Sequence, residues 1–175
     1  MGTILYNSSR GRNDSLSWIE LMLFVILANF ADTDYIPGYF IGNPNLFHHG
    51  MTHSFVFGII VSSIVGLLYY AIKRESFFKM SIFMFLTYSS HLIMDYFGKD
   101  TRFPFGEQLF WPISDEYFLS SFYIFNDVHK ASSSDIFFQS LFSWHNLATI
   151  IQEILILTPI LILIEYIRKT KRRSS

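Results

Sequence analysis

The chain has 175 residues, of which 51% are hydrophobic and 15% are charged, and its net charge is −1. A soluble domain carries about 25% charged residues, so this chain has too little charge to face water on all sides. The charge argues against a nucleic-acid partner, because no basic groove can be assembled outside the C-terminal tail. Since the chain has no cysteine, any metal must be held by His, Asp, Glu or water.

Four apolar segments predict four membrane-spanning helices. Each approaches the ~20 residues that are needed to cross the hydrocarbon core of a bilayer. Their approximate ranges are 16–31, 55–72, 77–97 and 147–167. Residues 98–143 form a long stretch without a span, and their aromatic side chains favour a position at the membrane interface. The sequence therefore predicts one all-α domain over residues 1–175, a membrane-embedded bundle of about four helices with an interfacial loop region.

The basic residues orient this bundle in the membrane. Four spans put both termini on one side, together with all but three of the thirteen Lys and Arg residues. Lys99, Arg102 and Lys130 lie on the other side. Because cytoplasmic loops carry an excess of Lys and Arg, we expect both termini to lie in the cytoplasm.

Six residues of metal-ligand type fall at the opposite, outward-facing end of the first three spans. They are Asp32, Asp34, His48, His53, His91 and Asp95. Such groups are poorly tolerated in a membrane core, at roughly 2.5–3.5 kcal/mol for a charge near its centre. They persist where they pair, line a wet cavity or bind a metal. The sequence therefore predicts a metal site on the outward face.

Two pairs in this set are brought together by local spacing. Asp32 and Asp34 directly follow the first span, and in an extended turn residues two apart point the same way. His91 and Asp95 are four apart in the third span, so they share one face of a helix. The alternatives are a solvated helix end for the first pair and a lone His–Asp hydrogen bond for the second.

Three histidines stand at the entrance to the second span. If the helix begins before His49, then His49 and His53 share one face, at the spacing by which a helix offers two imidazoles to zinc. If the helix begins near Thr52, His48 comes from the preceding turn and His49 points elsewhere. We interpret the cluster as functional, with His49 as a catalytic candidate or a further ligand.

The last span opens with two further candidates. His145 and Glu153 lie slightly over two helical turns apart and so nearly share a face. They can complete the set of ligands or orient it, and Glu153 is a candidate catalytic base, because a buried carboxyl group can carry a proton. The alternative is a polar helix start near the headgroups. Asp127 and His129, in the loop region, are weaker candidates.

The order of these motifs resembles the YdjM-like family of bacterial inner-membrane proteins. The residues that carry the resemblance are Asp32-Thr33-Asp34, His48-His49-Gly50-Met51-Thr52-His53-Ser54, His91-Leu92-Ile93-Met94-Asp95 and Trp111-Pro112-Ile113-Ser114. The resemblance covers roughly residues 20–115. It implies a metal-dependent hydrolase of the inner membrane, and some members of the family are described as binding the SOS repressor LexA. It also implies His48, His53, His91, Asp95 and one or both of Asp32 and Asp34 as metal ligands.

The chain departs from the family pattern at three positions. Ala31 stands where the family has proline, Tyr35 where it has histidine, and His49 where arginine is usual. The loss of that arginine removes any anion contact that it makes, unless His49 takes over.

We therefore expect hydrolysis by one or two divalent metal ions, most simply zinc. At the outer face the site would meet lipid headgroups, so the expected substrate is a phosphoester or a lipid-linked molecule, with membrane lipid as the partner. The second possibility is a membrane binding or regulatory protein with a structural metal. A transporter ranks last, because the second span offers only Ser62 and Ser63 near its midpoint.

Overall fold

The computed structural model describes residue 2 and residues 17–173, and its helices follow the apolar segments of the sequence. The described residues form six α-helices: α1 (Trp18–Ala28), α2 (Tyr35–Phe40), α3 (Phe55–Lys73), α4 (Phe77–Tyr96), α5 (Phe137–Leu141) and α6 (Trp144–Arg173). Over these same residues the structure contains isolated β-bridges but no strand. Helices α3, α4 and α6 are long and apolar enough to cross a membrane. The predicted all-α membrane fold is confirmed.

The first predicted span, 16–31, is shorter in the structure than the sequence suggested. Helix α1 has 11 residues and rises about 16 Å, roughly half the thickness of a hydrocarbon core. Asn29 ends it, because its side-chain amide bonds back to the carbonyl oxygen of Val25 at 2.8 Å. The chain then continues as a 3₁₀ turn over Phe30–Asp34. Residue 16 lies outside the described residues.

Small residues let α3 and α4 approach each other closely. Gly58, Ser62 and Gly66 recur every four residues and are the buried positions of α3. A Cβ atom at Gly58 would lie 2.8 Å from the ring of Tyr88, and one at Gly66 would overlap the side chain of Ser81. In a membrane, where apolar surface alone does not drive helices together, such close packing is a main source of association.

The hydrophobic core lies where α1 packs against α4. Phe24 and Leu27 of α1 are buried against Met84, Tyr88 and Leu92 of α4. By contrast, large apolar side chains on the outer faces of α3 and α6 are exposed, as expected of surfaces that contact lipid. Of the three long apolar helices, α6 is the least buried.

The segment 98–143 folds back over one end of the helices. The backbone N–H of Gln108 donates to the carbonyl oxygen of His49 at 3.0 Å, and that of Phe55 donates to Leu109 at 3.0 Å. These bonds dock the segment on the chain just before and at the start of α3. The segment therefore covers the end of the bundle that carries the candidate site residues.

We predict that Gly66→Leu destabilises the protein by about 1–3 kcal/mol, because α3 and α4 must separate to admit the side chain. The thermal unfolding midpoint in detergent, followed by circular dichroism, measures this. Leu68→Ala, at an exposed position of α3, is the matched control and should leave the midpoint almost unchanged. An unaltered midpoint for the Gly66 variant would contradict the close approach of the two helices.

Candidate metal centre

The structure brings the six predicted ligand residues together at one end of the helices. Asp32 and Asp34 lie on a 3₁₀ turn rather than in an extended segment. Oδ1 of Asp32 lies 3.5 Å from Nε2 of His91 and 3.9 Å from Nδ1 of His48, and Oδ1 of Asp34 lies 3.1 Å from the same Nδ1. Asp32, Asp34 and His48 each offer a ligand atom within 4.8 Å of the others. The local backbone therefore differs from the extended turn, but both carboxylates approach one point.

Four side-chain atoms from three separate segments converge on one point. Oδ1 of Asp32 lies 3.8 Å from Nε2 of His53 and 3.5 Å from Nε2 of His91. Oδ2 of Asp95 lies 3.5 Å and 3.2 Å from the same two nitrogens. Around a tetrahedral metal with bonds of about 2.0–2.2 Å, neighbouring ligand atoms lie about 3.3–3.6 Å apart. The spacing of these four atoms therefore fits a divalent metal.

The two imidazole nitrogens in this set lack other partners. Nε2 of His53 and Nε2 of His91 are buried, and neither has a hydrogen-bond partner. A buried polar atom without a partner is costly, and a missing ion is one of its ordinary explanations. Burial alone would lower the pKa of His53, but the hydrogen bond to Asp34 and the charges of Asp34 and Asp95 raise it to about 10. The carboxylates thus favour a positive charge at this point.

Asp34 holds the histidines in place. Its Oδ2 accepts hydrogen bonds from the backbone of His49 at 3.1 Å and from the hydroxyl of Thr52 at 3.0 Å, and it lies 3.0 Å from Nδ1 of His53. Its Oδ1 lies 3.1 Å from Nδ1 of His48. With Nδ1 of His53 facing a carboxylate, Nε2 is the atom left to face a metal, which would replace the proton that the raised pKa places there; this is the usual arrangement behind a metal-ligating histidine.

The imidazole of His48 is already engaged at both nitrogens. Its Nε2 lies 2.8 Å from the ammonium group of Lys130, which also donates to the hydroxyl of Tyr35. Burial lowers the pKa of His48 well below its usual range, and the neighbouring His49 and Lys130 lower it further. His48 is therefore neutral, with a proton on Nδ1 facing Asp34 and a lone pair facing Lys130. Its Nδ1 nevertheless lies 3.9 Å from Oδ1 of Asp32, so His48 also remains within reach of a metal beside that carboxylate.

Helix α3 begins at Phe55, so the second of the two alternatives for His49 is the one observed. His49 has a positive φ of 65°, which turns it away from the helix axis. Its Nδ1 lies 3.1 Å from the carbonyl oxygen of Gly106 and 3.6 Å from Asp100. The ring still lies 4.9 Å from that of His53. His49 therefore borders the cluster while being tied to the loop segment.

A cavity of about 1770 Å³ opens beside the cluster. Asp32, His91 and Asp95 line it, and so does Glu153 from α6. The side chains of Asp32 and Asp95 are 40% and 28% exposed, whereas that of His53 is fully buried. The cluster formed by Asp32, His53, His91 and Asp95 is thus closed on the protein side. It is open towards the cavity, where Glu153 lies.

His145 does not join the cluster. It lies with Asp127 and His129 in a separate group, where the two imidazole rings stack with centroids 3.6 Å apart. These atoms could also hold a metal, but His129 is 60% exposed and Nε2 of His145 already lies 2.9 Å from the carbonyl oxygen of Asp127. The expectation that His145 and Glu153 act together is not met.

Sequence reasoning missed Glu107. Its side chain is fully buried, and neither carboxylate oxygen has a hydrogen-bond partner. Burial raises its pKa well above the usual range, and the charge of Asp95 raises it further, while His53 acts in the opposite direction. Burial thus disfavours the charged form of this carboxyl group, which lies near Asp95 and His53. The sequence signal next to this position is Gly106. Its φ is 89°, and a Cβ atom there would overlap the carbonyl of Phe118, so the turn before Glu107 favours glycine.

The fold and the cluster together define a class of protein: an all-helical membrane protein with buried His and Asp side chains at one end of its helices. The chain matches the family model described as YdjM inner membrane protein over residues 1–171, and it belongs to that family. The resemblance drawn from the motifs is confirmed, and with it the inner-membrane location. Comparison with curated proteins and with solved structures gives no match.

We predict that Asp34→Asn destabilises the metal-free protein by about 1–3 kcal/mol, because an amide cannot accept from every donor that faces the carboxylate. His48 cannot adapt by changing tautomer, since its Nε2 faces Lys130. Thermal unfolding in detergent with EDTA measures the effect. Asp115→Asn, at an exposed carboxylate, is the control, and equal midpoints for the two variants would contradict this role of Asp34.

Proposed function

We propose that the protein is a membrane-bound metal-dependent hydrolase whose metal ion is held by Asp32, His53, His91 and Asp95. One observation carries the proposal: two buried imidazole nitrogens without partners face two carboxylate oxygens at 3.2–3.8 Å. Two nitrogen and two oxygen donors suit zinc. Because both oxygens of Asp34 already accept hydrogen bonds, the arrangement favours one ion over two.

A divalent ion in this position supplies Lewis-acid polarisation of the scissile group and makes water a nucleophile at neutral pH. Residues of the chain orient the ligands, accept the proton and order the wall of the site. Asp34 fixes the ring of His53 so that Nε2 faces the ligand position. Glu153 lines the cavity and is the candidate to accept a proton from water. His49, with Nδ1 near Asp100, orders the loop wall of the site.

The proposed substrate is a phosphoester or a lipid-linked molecule at the outer face of the inner membrane. The orientation is supported by the placement of α1 beside α3. At one end Asp32 lies near His53, and at the other Glu20 lies 3.5 Å from Lys73 and accepts from Tyr69 at 3.1 Å. Helix α1 and its 3₁₀ turn therefore run along most of α3. The start of α1 and the end of α3 thus lie at the same end of the helices. The excess of Lys and Arg that the sequence places at that end supports a cytoplasmic position for it and for both termini.

The second candidate is a non-catalytic binding or regulatory protein with a structural metal. Four protein ligands are what a closed structural site uses, and that observation favours it. The exposure of Asp32 and Asp95 towards the cavity favours the hydrolase. If metal removal lowers stability and none of the tested substrate classes is hydrolysed, the metal is structural and the hydrolase proposal is wrong.

We predict that the purified chain contains about one divalent metal ion and that His53→Ala and Asp95→Asn each remove it. Metal-dependent hydrolysis of phosphodiester and short-chain phospholipid substrates should fall by roughly a hundredfold or more in both variants, because the Lewis acid is lost. Elemental analysis of detergent-purified protein and product release measure the two effects.

Two variants serve as matched controls for this experiment. Asp135→Asn removes an exposed carboxylate, and His129→Ala removes an imidazole of the separate group. Both should retain metal and activity. Unchanged metal content in Asp95→Asn, which preserves the size of the side chain, would rule out the proposed ligand set.

We predict that Ser133→Cys reacts with a membrane-impermeant maleimide in cells whose outer membrane alone is opened. Glu75→Cys, in the exposed turn between α3 and α4, should react only after the inner membrane is permeabilised. The chain has no native cysteine, so each variant reports one position. The reverse pattern of labelling would place the site in the cytoplasm.

A further inference from the structure

The three basic residues of the segment 98–143 all line the cavity beside the proposed metal ligands. Lys99, Arg102 and Lys130 share it with the acidic side chains of Asp32 and Asp95. Asp34, Asp100, Asp127 and Glu153 line it as well, so the cavity as a whole is not a positive surface. What bears on an anion is how the individual cations are paired.

Arg102 is held with part of its guanidinium group unused. Its Nη2 donates to the carbonyl oxygen of Lys130, and its backbone N–H donates to Asp100 at 2.9 Å. Its Nη1 is buried and has no hydrogen-bond partner. These contacts orient the planar guanidinium group, and Arg102 itself lines the cavity, a position suited to binding a phosphate or carboxylate.

Lys130 places a second cation next to the first. Its ammonium group contacts the neutral imidazole of His48 and the hydroxyl of Tyr35, and it lies 4.7 Å from the centre of the Tyr35 ring. In the described part of the chain, the ion pair made by a lysine or arginine side chain is that of Lys73 with Glu20; Arg102 and Lys130 form none. Both residues are only partly buried, but no carboxylate among the described residues lies within ion-pair distance of their cationic groups, so each can still pair with an anion.

We propose that Arg102 and Lys130 form an anion subsite that binds the phosphate group of the substrate beside the metal ligands. The inference rests on the proposed function in taking this cavity as the substrate site. The cavity also has an apolar wall, to which Phe57, Ile150 and Leu157 contribute from α3 and α6. A phosphate group joined to an acyl chain would contact both surfaces, whereas free phosphate would contact only the cations.

The test is binding by the full-length protein in neutral detergent after treatment with EDTA, so that no metal contributes. Isothermal titration calorimetry compares dihexanoyl phosphatidic acid, inorganic phosphate and dihexanoylglycerol, which lacks phosphate. We expect the phosphate-bearing probes to bind and dihexanoylglycerol not to bind. Arg102→Gln should weaken the phosphate-bearing probes by roughly tenfold or more, since it removes charge-assisted hydrogen bonds. Lys130→Gln is the second variant.

Lys79→Gln is the matched control, because it removes one positive charge at the far end of α4 and should leave affinity unchanged. Tighter binding of phosphatidic acid than of phosphate supports a lipid source, and equal binding supports free phosphate. Failure of both probes to bind, or equal affinity of wild type and both cavity variants, overturns the subsite. The metal content of the two cavity variants, measured without EDTA treatment, distinguishes this outcome from failure of the proposed function. The proposed function requires the metal, whereas the anion subsite does not.

Discussion

Polar groups at the end of apolar helices must form hydrogen bonds or ion pairs with one another. In this protein the carboxylate of Asp34 is at the centre of these contacts. Its two oxygens face two imidazole nitrogens, a backbone N–H and a hydroxyl group. These partners belong to residues 48–53, which precede α3, so the carboxylate joins the turn after α1 to the start of α3. The cluster beyond it depends on this contact, because the orientation of His53 sets the direction of its free nitrogen. The carboxylate of Asp34, predicted as a ligand, thus also positions the imidazole of His53.

The packing of the helices makes that contact possible. Gly58, Ser62 and Gly66 bring α3 against α4, so that His53 at the start of one helix meets Asp95 near the end of the other, with Nε2 and Oδ2 3.5 Å apart. The same contact argues against a pore. Ser62, one of two polar residues near the middle of α3, is buried against α4 and cannot line a path for ions. Among the described residues, those that could hold a metal gather at one end of the bundle, while Glu20 pairs with Lys73 at the other.

The sequence predicted much of this arrangement because membrane proteins obey strict rules on apolar length and polar cost. Apolar runs located α3 and α4 within one residue of their ends, and the cost of buried polar groups predicted that His53, His91 and Asp95 would meet. The rest depended on contacts that no local pattern encodes. Whether α3 began before or after His49 was decided by Ser54, which caps the helix by accepting from Phe57 at 3.1 Å. Glu107 was missed because its burial follows from how a long loop docks.

The cavity is lined by charges of both signs, and this combination bears on the chemistry that it can serve. Asp32 and Asp95 face a position that favours a cation, whereas Arg102 is a candidate to bind an anion. The proposed metal ion would pair with the two carboxylates, and the proposed phosphate group would pair with Arg102. Each of the two ligands would thus offset charge of one sign, and neither alone would offset both.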